Sequence, residues 1–249
     1  MAEFHIQIAG QVVSVHSLFE STRDYCRHYL SGEPADFSVT VTREDMVFEQ
    51  AALRQEAIDE GMRIRVFPDP FLERAVIQRK VAEHLFDKDT LLFHGSAVAV
   101  DGEGYLFTAK CGTGKSTHTR LWREVFGDRA VMVNDDKPFL RITDSGVLVC
   151  GAPWSGKHGL DTNITVPLKG ICILERGAEN RIRRMELSGA LPMLQKQSCP
   201  PPDSEKHPRF QALVTSLGTK TALWHMACNK DPQAALVSYE AMSAKPDAR

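Results

Sequence analysis

The stretch Ala109–Thr117, "AKCGTGKST", holds the residue types that wrap a phosphate. Gly112 and Gly114 let backbone N–H groups turn inward without a Cβ in the way. A helix opening at Lys115 adds unpaired N–H donors and the positive end of its dipole. Lys115 offers a mobile positive charge for β- and γ-phosphates, and Ser116 a hydroxyl oxygen for Mg²⁺. The whole loop, Ala109, Lys110, Cys111, Gly112, Thr113, Gly114, Lys115, Ser116 and Thr117, is therefore the candidate nucleotide cradle. The usual pattern places glycine where this chain has Ala109. Alanine is the smallest replacement, and it requires only that this position avoid a left-handed backbone.

Two adjacent carboxylates, Asp135 and Asp136, end the apolar run "VMVND" about twenty residues further on. At a strand end, one can hold a metal ion, directly or through water. The other can take a proton from an attacking hydroxyl. His94, between an apolar run and Gly95, reads from spacing alone as a core histidine. "CGAPWSGKHGLDTN" (150–163) is a glycine-rich loop whose Lys157 suits a second anion contact, or simply solvent. It lacks the hydroxyl after lysine that would ligate Mg²⁺.

Periodicity supplies the elements that must position these groups. Residues 4–8 and 12–15 alternate as a short hairpin. Residues 17–32 have a helical period, with Phe19, Cys26, Tyr29 and Leu30 to one side and Gly32 as a stop. "DFSVTVTRED" (36–45) alternates as a strand. Residues 70–87 predict a helix with Leu72, Val76, Ile77, Val81, Leu85 and Phe86 as its apolar stripe. From residue 90, two apolar strands joined by "DGEG" lead directly into the phosphate loop. A helix over 116–127 follows, with Leu121, Trp122 and Val125 inward. Strands are predicted at 130–135, 139–142, 146–150, 164–166 and 169–176. The prolines of 198–209 predict a loop that could serve as a lid, and Asp231 and Pro232 open a last helix.

With 249 residues the chain can bury a sizeable core, and its net charge of −2 offers no broad basic surface for nucleic acid or an anionic membrane. No apolar run reaches the roughly 18 residues of a membrane span. Six cysteines without a C-x-x-C pair indicate free thiols in a reducing cytoplasm. Self-association is left open.

Together, "HGSAVAVDGEGYLFTAKCGTGKST" and "NDD" resemble the HPr kinase/phosphorylase and PEP carboxykinase superfamily over roughly residues 88–175, in order as well as in motif. "PWSGKHGLDTN" and "KGICILERG" are similar to short bacterial HPr-kinase-like members of that group. The resemblance implies an α/β P-loop fold: a mixed, partly antiparallel sheet flanked by helices (88–249), preceded by an N-terminal β/α portion (1–87). It implies ATP and Mg²⁺ as cofactors and transfer of a phosphoryl group to a hydroxyl-bearing acceptor, a peptide, protein or small molecule. Asp135 would then be the acid/base, Asp136 the metal-side carboxylate with Ser116, and His94 a site residue beside them. A PEP carboxykinase-type enzyme and a non-catalytic nucleotide-binding module are the alternatives. Two departures stand: Ala109, and the absence of an equivalent to the loop on which HPr kinases dock their protein substrate.

Overall fold

The computed structural model describes residues 1–59, 61 and 63–244. The chain divides into two compact units, Met1–Leu85 and Phe86 onward.

In the first unit, β1 (Ala2–Ile8) and β2 (Gln11–Ser17) form an antiparallel hairpin. Its turn is made by Ala9 and Gly10, both with positive φ. Helix α1 is confined to Glu20–Tyr25, so the helix expected over 17–32 stops early. A short 3-10 turn takes up Arg27–Tyr29, and Leu30 bridges to Ile6. Burying Cys26 and Tyr29 against the hairpin requires this turn back to β1, and tertiary packing overrides the local period.

Strand β3 (Phe37–Thr40) lies parallel to β2 and is shorter than expected. Thr42 and Asp45 end it by capping each other: the Asp45 carboxylate accepts from Thr42 N at 2.8 Å, and Thr42 Oγ1 accepts from Asp45 N at 3.2 Å. This capping box opens α2 (Arg43–Asp59), a helix that the hydrophobic pattern does not reveal. Helix α3 (Asp69–Phe86) buries the expected stripe, from Leu72 to Phe86. It also buries Glu73 completely, where the carboxylate accepts from Leu18 N, Phe19 N and Thr22 Oγ1.

The second unit is a curled, mixed sheet of nine strands flanked by helices. Strands β4 (Thr90–Leu92), β5 (Ser96–Val100) and β6 (Glu103–Thr108) precede α4 (Lys115–Phe126). Then come β7 (Ala130–Asn134), β8 (Phe139–Thr143), β9 (Gly146–Cys150), the long β10 (Thr165–Arg176) and β11 (Arg181–Arg184). Helices α5 (Leu187–Gln197) and α6 (His207–Lys220), strand β12 (Ala222–Cys228) and helix α7 (Gln233–Ser243) complete it. The path runs β4-β8-β9-β10-β6-β5-β7, and β12 pairs β10 on one side and β11 on the other. Asp101 and Gly102, both at positive φ, make the two-residue turn that folds β5 antiparallel onto β6.

Both faces of the central strands are covered, which is why they read as unbroken apolar runs. Ala97, Ala99, Leu106, Ile171 and Ile173 face a core shared with α5 and α6. Val98, Val100, Tyr105, Phe107, Cys172 and Leu174 face the other, under α4 and α7. The segment 198–209 is a loop only in its first part: residues 199–203 are irregular, a 3-10 turn takes up Ser204–Lys206, and α6 begins at His207. Pro208 sits in the first turn of α6, where its missing N–H is not needed. Lys206 and Arg209 tie the segment to Asp87 and Asp89, at 2.8 and 3.0 Å. All six cysteines are free thiols. No helix among the described residues is long and apolar enough to cross a membrane.

His118 is sealed between α4 and α7. Its Nε2 lies 3.0 Å from Ser238 Oγ, to which Trp122 Nε1 donates at 2.9 Å. Burial pushes this imidazole down from 6.5 to about 4. The unfolded chain therefore takes up a proton first as pH falls. The stabilisation is full above about 6.5 and is lost progressively toward 4. Urea titrations should show a loss of about 2 kcal/mol from this group between pH 7.5 and 5. In NMR the His118 ring should not titrate above pH 5; a midpoint near 6.5 would contradict its burial as neutral imidazole.

Candidate active site

The register of three strands assembles the site. Ser96 at the start of β5 faces Phe107 near the end of β6, and Ala97 faces Asn134 at the end of β7. His94, the loop after β6 and the carboxylates after β7 therefore meet at one end of the sheet. β10, parallel to β6, brings Arg176 to the same end.

The loop has the shape its glycines suggested. Gly112 and Gly114 take φ of 73° and 125°, and Lys115 opens α4. Ala109 is not among the positive-φ residues; its side chain is fully buried in the core under α4. Alanine serves there because the strand is ending, not turning. Lys115 Nζ lies 3.4 Å from Ala109 O, across the loop. Arg176 holds the outer side: its Nη2 donates to Gly112 O at 2.7 Å. Lys110 and Cys111 are exposed, whereas Thr113, Ser116 and Thr117 are half-buried. The first-turn amides of α4 have no acceptor within the helix, as at any helix start.

Asn134 shapes the carboxylate turn. Its Oδ1 accepts from Asp136 N at 2.9 Å and Lys137 N at 2.7 Å, while its Nδ2 donates to Ala152 O at 2.7 Å. Asp135 is buried, and its Oδ1 accepts from Ser96 Oγ at 2.6 Å. Ser96 Oγ lies 2.8 Å from Thr119 Oγ1 on α4. Asp136 is half-exposed, and its Oδ1 is 3.6 Å from His94 Nε2. Burial first, then the charges of Lys115 and Lys137, hold the His94 imidazole down at about 3. His94 is therefore neutral at physiological pH, and it feels Lys115 directly.

The structure thus gathers His94, Asp135, Asp136 and Lys115. The 150–163 loop joins them through Gly156, where an added Cβ would lie 3.1 Å from Asp136 Cβ. The neighbouring Lys157 is exposed and has no hydrogen bond or ion pair among the described residues. Behind it Gly151 packs so closely that a Cβ would overlap Thr162 O. Ser96, Thr119, Asn134 and Arg176 escaped the sequence reading. Only Asn134 carried a local signal, an Asx turn ahead of the paired aspartates.

Among the described residues no three His, Cys, Asp or Glu side chains converge as a metal cluster. Ser116 and Asp136 would be the chain's oxygen ligands for Mg²⁺. They suit an ion that keeps several waters and takes its remaining ligands from phosphates. Two clefts border the loop, neither of them lined by Asp135 or Asp136. One, of about 720 Å³, is lined by Lys110, Cys111, Glu175, Met193 and His225. The other, of about 630 Å³, is lined by Gly114, Thr117, Arg176, Cys228 and Asn229.

No protein-family model matches the chain, and no curated protein matches it. Among solved structures, the Hpr(Ser) kinase/phosphatase from Coxiella burnetii is similar at 14% identity with a TM-score of 0.30, covering 49% of this chain and 93% of that one. A likeness at that score carries no argument about fold or chemistry.

Gly156 and Gly159 both have left-handed backbones, at φ 69° and 59°, but only Gly156 touches Asp136. Alanine at either position should cost about 1–2 kcal/mol in urea denaturation. If Asp136 serves an Mg·ATP site, only Gly156→Ala should also weaken Mg·ATP binding by calorimetry, because only it displaces Asp136. Equal binding losses in both variants would remove the contact from the site.

Proposed function

We propose that the chain is an ATP- and Mg²⁺-dependent phosphotransferase acting on an aliphatic hydroxyl of a peptide, protein or small molecule. One observation carries the reading: a buried carboxylate, Asp135, is hydrogen-bonded through Ser96 to the same helix, α4, whose first turn closes the phosphate loop. A protein that only bound nucleotide would not need a base there, and this carboxylate is fixed where a base would stand.

In this reading the loop amides and Lys115 hold the β- and γ-phosphates and offset the charge that builds up on transfer. Mg²⁺, when bound by Ser116 and Asp136 together with the phosphates, supplies further charge neutralisation. Asp135 orients the acceptor hydroxyl and takes its proton. His94, kept neutral, can hydrogen-bond near Asp136 without adding a second positive charge beside Lys115.

Lys115→Ala should lower ADP formation at least 10²-fold and leave the melting temperature without nucleotide nearly unchanged. Turnover near the wild-type rate would remove the central claim. Asp135→Asn should abolish transfer yet retain Mg·ATP binding, whereas Asp136→Asn should weaken the Mg²⁺ dependence of binding. Calorimetry showing the opposite pattern would exchange the two roles.

A further inference from the structure

Ser96, Thr119 and Asp135 form a buried line from α4 to the carboxylate, with Ser96 fully buried and Thr119 at 1% exposure. Each hydroxyl has one proton to give. A carboxylate only accepts, so at 2.6 Å the Ser96 proton must lie toward Asp135 Oδ1. Ser96 then has none left for Thr119, and the 2.8 Å contact can only be Thr119 donating to Ser96. The alternative acceptors of Thr119, the carbonyls of Lys115 and Ser116, are both at 3.4 Å and are weaker. The order of protons is therefore fixed: Thr119 to Ser96, and Ser96 to Asp135 Oδ1. Asp135 N donates to Leu160 O at 3.0 Å, which anchors the backbone as well. Oδ2 has no hydrogen bond among the described residues.

We infer that Ser96 and Thr119 are positioning residues that make Asp135 a one-sided base, open to a proton at Oδ2 alone. The inference rests on the phosphotransferase reading and specifies how its base is held. In the transfer step the acceptor oxygen forms a bond to the γ-phosphorus and its proton passes to Oδ2. The bond from that phosphorus to the β,γ-bridging oxygen breaks, and its electron pair leaves with ADP. Oδ1 stays an acceptor throughout, so the Ser96 bond survives the proton transfer. Because Thr119 belongs to the phosphate-loop helix, the same line also sets the distance between base and donor phosphate. A misplaced base is costly in rate even when binding is intact.

The test uses the whole chain with Mg·ATP as probe and water as acceptor, following ADP formation, Mg·ATP affinity by calorimetry, and unfolding in urea. Ser96→Ala should lower kcat roughly 10- to 100-fold, the range for losing a hydrogen bond to a charged group, with affinity within about twofold of wild type. Thr119→Val keeps the shape and removes only the hydroxyl, so it should give a smaller loss of the same kind. Thr119→Ser should restore most of the rate lost in Thr119→Val. A kcat unchanged in Ser96→Ala, a loss confined to affinity, or rates that merely follow folded fraction across the series would overturn the inference. Wild-type protein that neither binds nor splits Mg·ATP would overturn the phosphotransferase reading itself, before any variant is compared.

Discussion

The two-residue turn at Asp101 and Gly102 is the constraint on which the site depends. It folds β5 back between β6 and β7, so the start of one strand lies beside the ends of two others. An ordinary strand–helix–strand crossover would carry the chain away after the phosphate loop and return it parallel. Here β5, the strand before the one that runs into the loop, brings Ser96 to the same edge, with His94 just before it. The turn's geometry, with positive φ at both positions, matches the right-handed twist of the flanking strands. A different turn would splay the pair and move His94 and Ser96 away from the carboxylates.

Close packing then converts this topology into fixed distances. Gly151 lets the two ends of the 150–163 loop close on each other at Thr162, and Gly156 lets the loop pass Asp136 without a Cβ between them. Asn134 gives all its hydrogen-bonding capacity to backbone, shaping the turn that presents both aspartates. Ser96, Asn134 and Oδ1 of Asp135 at the base of the site are buried and partnered, as the low local dielectric demands.

Local chemistry made part of this readable in advance. The glycines of the phosphate loop, the "DG" turn and the stripe of α3 each declare themselves through backbone freedom or period. α2 was hidden because its apolar residues lack a clean period, although the Thr42–Asp45 capping box marked its start. The helix expected over 17–32 stops at Tyr25 because Cys26 and Tyr29 are buried where the chain turns back through a 3-10 turn. In the site, Lys115 and the aspartates stood out by residue type. Ser96 and Thr119 did not: a serine in an apolar strand and a threonine in an amphipathic helix gain meaning only when strand register brings them within 2.8 Å. Arg176 lies 64 residues from Gly112 in sequence, and nothing local links them.

That arginine changes how the phosphate loop should meet an anion. A glycine-rich loop has many conformations to lose, and a ligand that must order it gives up binding free energy in doing so. Here a permanently charged guanidinium already occupies the carbonyl of Gly112, and that hydrogen bond forms as the chain folds. The entropic loss is thus charged to folding and not to association. Under the proposed function, arrival of the phosphates would then resemble docking to a preformed socket, with the encounter rate governed by electrostatic attraction more than by loop rearrangement.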